Sequence, residues 1–132
     1  MLYVKNLSIA VGKTQASPAT DTIKIWRGVI HSIDVFIPPS HSGLAKLQIY
    51  HGGHIIMPTN QDGYISGNDT TVSGKFFIDL NKDVNVITLS GWNDDDTWPH
   101  EFIVMIGVLP KWILMPSLMI QSAIEGLQNL FK

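Results

Sequence analysis

Cysteine is absent from the 132 residues, which removes disulfides, thiolate zinc sites and cysteine nucleophiles. Charge is scarce as well. Asp, Glu, Lys and Arg make up 15% of the chain, against about 25% in an ordinary soluble domain, so the surface is short of groups that normally face water. Contact with other subunits is the expected use of that surface. The nine Lys and Arg form no run and the net charge is −2. Phosphate tracking needs a basic stripe, so nucleic acid is not expected as a partner. Also missing are a nucleophile elbow, an ordered Ser-His-Asp triad and a phosphate-binding glycine motif after a strand, so neither an enzyme nor a cofactor is expected. The most membrane-like stretch, FIVMIGVLPKWILMPSLMI at 102–120, is broken by Pro110, Lys111 and Pro116. A spanning helix needs about 20 apolar residues, so no membrane span is expected. The opening MLYVKNLSIAVGKTQ lacks a continuous apolar core with a small-residue cleavage site and does not read as a signal peptide.

What is present is strand patterning. About one domain fits this length, and 45% of the residues are hydrophobic. A short strand over 2–11 leads into GKTQASPATD, so residues 1–21 read as an N-terminal arm or linker. From Thr22 a period of two sets in. Ile23, Ile25, Val29, Ile33, Val35 and Ile37 describe a long strand, or two strands bent at Gly28, which Pro38-Pro39 stops. Further runs follow at 44–50, 54–57, 75–80, 84–89 and 101–109, separated by SHSG, Gly52-Gly53, TNQDG, GND and NKD turns. Seven to eight short strands at such spacing predict an all-β fold, an antiparallel β-sandwich or jelly roll over 22–110. The last run has Phe102, Val104, Ile106 and Val108 in one phase and Ile103, Met105 and Leu109 in the other. A strand covered on both faces is the expectation.

After Pro110 the period changes. With Ser117 as N-cap, Met119, Ile120, Ala123, Ile124, Leu127, Leu130 and Phe131 share one face of a helix, and amides occupy the other. Residues 111–132 therefore read as a C-terminal amphipathic helix that gains stability by docking. Its polar face carries amides in place of lysines, which suits a protein groove better than a lipid surface.

Three constellations invite chemistry. Asp94, Asp95 and Asp96 supply hard oxygen atoms, yet their spacing is not that of an EF-hand, and a polar turn rich in loop-forming residues accounts for them. Of the five histidines only His51 and His54 are close in sequence, and a Gly-Gly pair separates them, so no metal is assigned. Trp92, Trp98, Tyr64 and Tyr50 beside Asp94–Asp96 form a candidate sugar-stacking platform; the competing reading has the two indoles capping the sandwich or filling an interface.

The succession GVIHSIDVFIPPSHSGLAKLQIYHGGHIIMPTN, GYISGND and GWNDDDTWPHEFIVMIGVLP resembles small β-sandwich proteins encoded among the virion structural genes of tailed phages and related viruses. The shared features are an IPP–GL turn, a proline-ended second strand and a WN-D loop followed by a histidine and a final apolar strand. They span roughly residues 22–110. The resemblance implies a non-enzymatic component of a virus particle (capsid, vertex, decoration or connector protein), located in the virion and working as a homo-oligomer beside other virion proteins. The helix lies outside it. From the residues themselves, Trp112, Ile120, Ile124, Leu127 and Phe131 are the candidate partner-binding positions. The alternative is a carbohydrate-binding module that uses Trp92, Trp98, Asp94 and Asp96.

Overall fold

The computed structural model describes residues 1–114 and 124–129. Six strands follow one another: β1 (Leu2–Ile9), β2 (Ala19–Ile37), β3 (Ala45–His51), β4 (His54–Met57), β5 (Thr70–Asn93) and β6 (His100–Leu109). A helical turn, α1 (Lys111–Leu114), closes the body, and residues 124–129 are helical too. All strand pairings are antiparallel, in the order β1-β6-β2-β5-β3-β4.

Two strands are long because each serves two layers. Residues 28–37 of β2 pair with 70–80 of β5 on one side and with β6 on the other, while 19–26 of β2 pair with 84–91 of β5. β3 joins only the second half of β5, at residues 87–93. The register slips between Trp26 and Gly28, where residues 81–83 of β5 are left over. Such bulges bend strands, and here the sheet folds over itself. The first layer holds β1, β6 and the 28–37 and 70–80 segments. The second holds the 19–26 and 84–93 segments with β3 and β4.

Contacts across the fold confirm a sandwich. The Trp26 amide donates to the Tyr3 hydroxyl at 3.4 Å, and Lys5 pairs with Asp21 at 3.2 Å. Those contacts bring β1 against the start of β2 and close one side of the sandwich. A Cβ on Gly91 of β5 would run into the Cδ1 of Ile9 on β1, so a side chain there would hold the layers apart. Between them lie Ile25, Ile30, Ile33, Leu47, Leu89 and Phe102 with other buried apolar residues. Ile30 lies off the predicted phase of β2, beside the register shift at Ile30/Ser32; in β6 the phases held, with Phe102, Val104, Ile106 and Val108 pointing inward and Ile103, Met105 and Leu109 half-buried on the outer side.

Two expectations change. Residues 1–21 are not an arm outside the domain. β1 runs the length of β6 from Leu2 opposite Gly107 to Ile9 opposite His100, and Leu7 and Ile9 sit in the core, because a hydrophobic edge strand gains more by pairing than by staying in water. The stretches 75–80 and 84–89, expected as separate strands about an NKD turn, form one strand that bends there without reversing, since both halves pair with the similarly bent β2. Seven to eight short strands thus become six. Residues 64–65 contribute only a single bridge, Ile65 to Leu47. Gly52 and Gly53, at φ 57° and 82°, supply the left-handed conformations that turn β3 directly into β4.

Candidate functional site

Loops 38–44 and 94–99 meet at one end of the sandwich, joined by the start of β6. The acidic loop is built on Asn93, the last residue of β5, whose side chain is buried. Its Nδ2 donates to the carbonyls of Ile9 (3.4 Å) and Trp98 (2.9 Å), and its Oδ1 accepts the Asp95 amide at 2.9 Å. Asp95 continues the turn. Its Oδ1 accepts the amides of Thr97 and Trp98, and its Oδ2 lies 2.8 Å from Nε2 of His100. The Thr97 amide first, then the His100 imidazole, hold the Asp95 carboxyl below its usual range. Asp94 turns the other way to pair with Lys46, and Asp96 accepts from the Thr97 hydroxyl at 3.0 Å. The three carboxylates therefore diverge, each occupied in the turn or with a neighbouring side chain.

Beside this turn His41 is buried between His100, at a ring separation of 4.5 Å, and the edge of Phe102 at 5.0 Å. Its Nε2 stands 2.8 Å from the Glu101 carbonyl oxygen. A carbonyl only accepts, so Nε2 carries the proton and donates. Nδ1 is left without a partner. Burial lowers the pKa of this imidazole, and the neighbouring His100 adds to that. His41 thereby fastens the 38–44 loop to β6 as a neutral ring. Ser40 and Ser42, at φ 76° and 50°, and a hydrogen bond from the Ser42 amide to Asn68 fix the rest of that loop.

Between the two loops runs an open groove of about 470 Å³ bounded by Pro38, Pro39, His41, Trp98, Pro99 and Glu101. Trp98 is 67% exposed at its rim. Trp92 is elsewhere. It points out from the second layer and is buried beneath Tyr64, whose ring meets it edge-on at 5.9 Å; Lys46 lies 5.6 Å above the Tyr64 ring. Under the same 58–65 loop, Gln48 donates to the carbonyls of Gln61 and Gly63 and accepts from the Tyr50 hydroxyl. The expected platform of Trp92, Trp98, Asp94 and Asp96 is thus divided. Trp98 alone stands exposed beside a groove, Trp92 fixes a loop, Asp94 serves Lys46 and Asp96 faces solvent beside Thr97. Asn93 was legible as a residue that shapes the loop through the backbone, and it does; sequence reading passed over Asp95 and His41 as its partners in organising this end.

Of the predicted partner-binding positions, Trp112 lies at the other end, just after β6. Trp112 is exposed on α1, and Ile124 and Leu127 are 49% and 57% exposed. Ile120 and Phe131 fall outside the described residues. Lys111 reaches back to Asp79 of β5 at 2.9 Å, so the chain leaves β6 across β2 toward β5. Among the described residues no helix is long and apolar enough to cross a membrane, and no three His, Asp or Glu side chains are grouped as metal ligands would be.

No protein-family model matches the chain, and no curated protein is similar to it in sequence. Solved structures are similar in fold. The CBM36-1 domain of a multidomain xylanase from the hindgut metagenome of Trinervitermes trinervoides aligns over 81% of this chain and 98% of its own, at 10% identity and TM-score 0.48. A chain of the cyanophage Pam1 capsid asymmetric unit aligns over 80% of this chain and 81% of its own, at 9% identity and TM-score 0.48. A CBM36 module in complex with calcium and xylotriose covers 81% of this chain and 88% of its own, at 18% identity and TM-score 0.46.

Proposed function

We propose that this chain is a non-enzymatic structural subunit of a virus particle that self-associates and docks on neighbouring subunits. The observation that carries the assembly reading is the placement of its exposed apolar residues. Trp26 and Val84 are register partners on the outer face of the second layer, and Val86, opposite Lys24, continues the patch. Trp112, Ile124 and Leu127 add exposed apolar surface after β6. Contiguous apolar surface of this kind on a soluble domain marks an interaction site. The sandwich, with its bend locked by two shared strands, supplies the rigid block, and the segment after Pro110 supplies a connection. The virion part of the reading rests on the sequence resemblance of residues 22–110.

Sedimentation of the full chain and of a version ending at Pro110 tests this. The full chain is expected to run as a multiple of its 14.6 kDa mass and the shortened one as a smaller species that no longer enters particles. A full chain that stays monomeric at the highest concentration it tolerates sinks the proposal.

A second reading, glycan binding, has one observation in its favour: the exposed Trp98 beside the proline-lined groove, since an indole face next to a polar carbonyl and carboxylate suits a sugar ring. Glycan-array binding that vanishes in Trp98→Ala while the oligomer persists would establish it. Binding that survives the substitution rejects this groove as the sugar site.

A further inference from the structure

One side of the sandwich is closed by the contacts of β1 with the start of β2; the other is open. In the first layer, residues 70–80 of β5 pair with β2 on one flank, and among the described residues no strand pairs with the other flank. Exposed backbone N–H and C=O groups along a strand are a template for a further strand, and natural edges are normally blunted by proline, by bulges or by charged side chains. This edge, TTVSGKFFIDL, contains no proline; its ladder with β2 shifts between Ile30, opposite Ile78, and Ser32, opposite Lys75, which leaves an extra residue at Phe76–Phe77, yet its residues alternate between exposed and half-buried without a break from Thr71 to Asp79. The flank stays open, and its exposed charges, Lys75 and Asp79, are of opposite sign, so a matching strand can neutralise them.

Its side chains specify a partner. On the outer face Lys75, Phe77 and Asp79 follow one another at every second residue, with Phe77 53% exposed. An antiparallel strand of the same sequence centred on Phe77 sets Lys75 opposite Asp79 twice, once on each side of a Phe77–Phe77 pair. On the inner face the same register sets Phe76 opposite Ile78. Both are only half-buried against the core, as residues at an unfinished layer edge would be. Opposite charges and aromatic pairs facing one another across strands stabilise a sheet, and like charges do the reverse. No other register of two copies pairs both charges.

We propose that residues 74–80 of β5 pair antiparallel with the same residues of a second copy of this chain, about a two-fold axis at Phe77, making one continuous eight-stranded first layer across the dimer. This rests on the assembly reading above and names its surface, and it is separate from the segment after Pro110.

Charge reversal tests it in the full chain. Lys75→Asp sets four carboxylates facing in pairs and Asp79→Lys sets four ammonium groups; each single variant is expected to weaken association about tenfold or more, since two cross-strand pairs turn repulsive together. The combination of both reversals restores complementarity and is expected to associate as the parent does. Asp79 also pairs with Lys111, but the double variant leaves that contact repulsive, so rescue cannot come from it. Circular dichroism checks that each variant is folded. The cysteine-free background permits a second measurement. Phe77→Cys is expected to form a disulfide-linked dimer under mild oxidation, and Val84→Cys, on the second layer, is not. Association indifferent to both single reversals, with no cross-link at position 77, overturns the edge pairing and leaves the assembly reading standing. A parent chain that never associates overturns both.

Discussion

Gly91→Ala is the sharpest probe of the sandwich, because it asks whether β1 belongs to the folded body. The new methyl would fall on the Cδ1 of Ile9 and come within 3.1 Å of the Lys46 carbonyl oxygen. Ile9 is fully buried, so its side chain has nowhere to retreat. Overpacking of this kind costs about 1–3 kcal/mol, and for a domain of this size each kcal/mol lowers Tm by about 3–5 °C. Ile9→Val removes the very carbon that collides and alone costs about 1 kcal/mol. Combined, the alanine methyl fills the space that the valine leaves. The double variant should therefore be more stable than the sum of the singles predicts by about 1–2 kcal/mol, the residue of strain being the Lys46 carbonyl. Urea unfolding of the four proteins, followed by tryptophan fluorescence, measures this. Strict additivity would mean that residues 9 and 91 do not touch, and that residues 1–9 are an arm after all.

Further outcomes follow from the loop end. Burial lowers the His41 pKa in the folded protein, so the unfolded chain binds the extra proton first. The stability that neutral His41 gives is complete above its ordinary value of about 6.5 and is lost as pH falls from there toward the lowered folded pKa. Thermal melts between pH 8 and 5 should show this decline, and His41→Phe should flatten it; an unchanged slope in the variant assigns the effect to another group. Asp95 has a lowered pKa from the Thr97 amide and His100, and its contribution is present above its ordinary value of 3.8 and disappears as pH falls from there toward the lowered folded value. Asp95→Asn should therefore remove the steepest part of the acid limb. Asn93→Ala strands two carbonyls and one amide that its side chain serves, and should cost about 2–3 kcal/mol in denaturant unfolding; a loss below half of that would mean water takes over the bonds. Asp94→Asn, by contrast, breaks a half-exposed ion pair with Lys46 and should change Tm by little, about 0–1 kcal/mol in stability.

The parts of this fold that are local in sequence were legible. Period-two phases in β2 and β6 assigned Ile23, Ile25, Ile33, Val35, Phe102 and Val104 to the core, and Gly28 was readable as a bend. What sequence reading missed is non-local. Nothing in residues 2–9 says that their partner is a strand about a hundred residues away, so a hydrophobic edge strand followed by GKTQASPATD looked like an arm. NKD at 81–83 carries strong turn residues, yet the ladder with β2 overrides local propensity and keeps β5 continuous. At the site, the residue types of the WN-D-H loop were visible but not their directions. Three successive aspartates look equivalent in a string, while the backbone sends Asp94 to Lys46, Asp95 to His100 and Asp96 to solvent. His41 is sixty residues from Glu101, and only the fold brings its ring under that carbonyl.

The two shared strands also have a mechanical meaning. In a sandwich whose layers are joined only by loops, a force entering one layer reaches the other through flexible connectors or through side-chain friction in the core. Here the backbones of β2 and β5 run unbroken from one layer into the other, paired with each other on both sides of the bend. A load applied at the 70–80 edge is carried covalently to the 84–93 segment and on to β3, so the block deforms as one piece. A block of this kind passes strain from one face to the other instead of absorbing it.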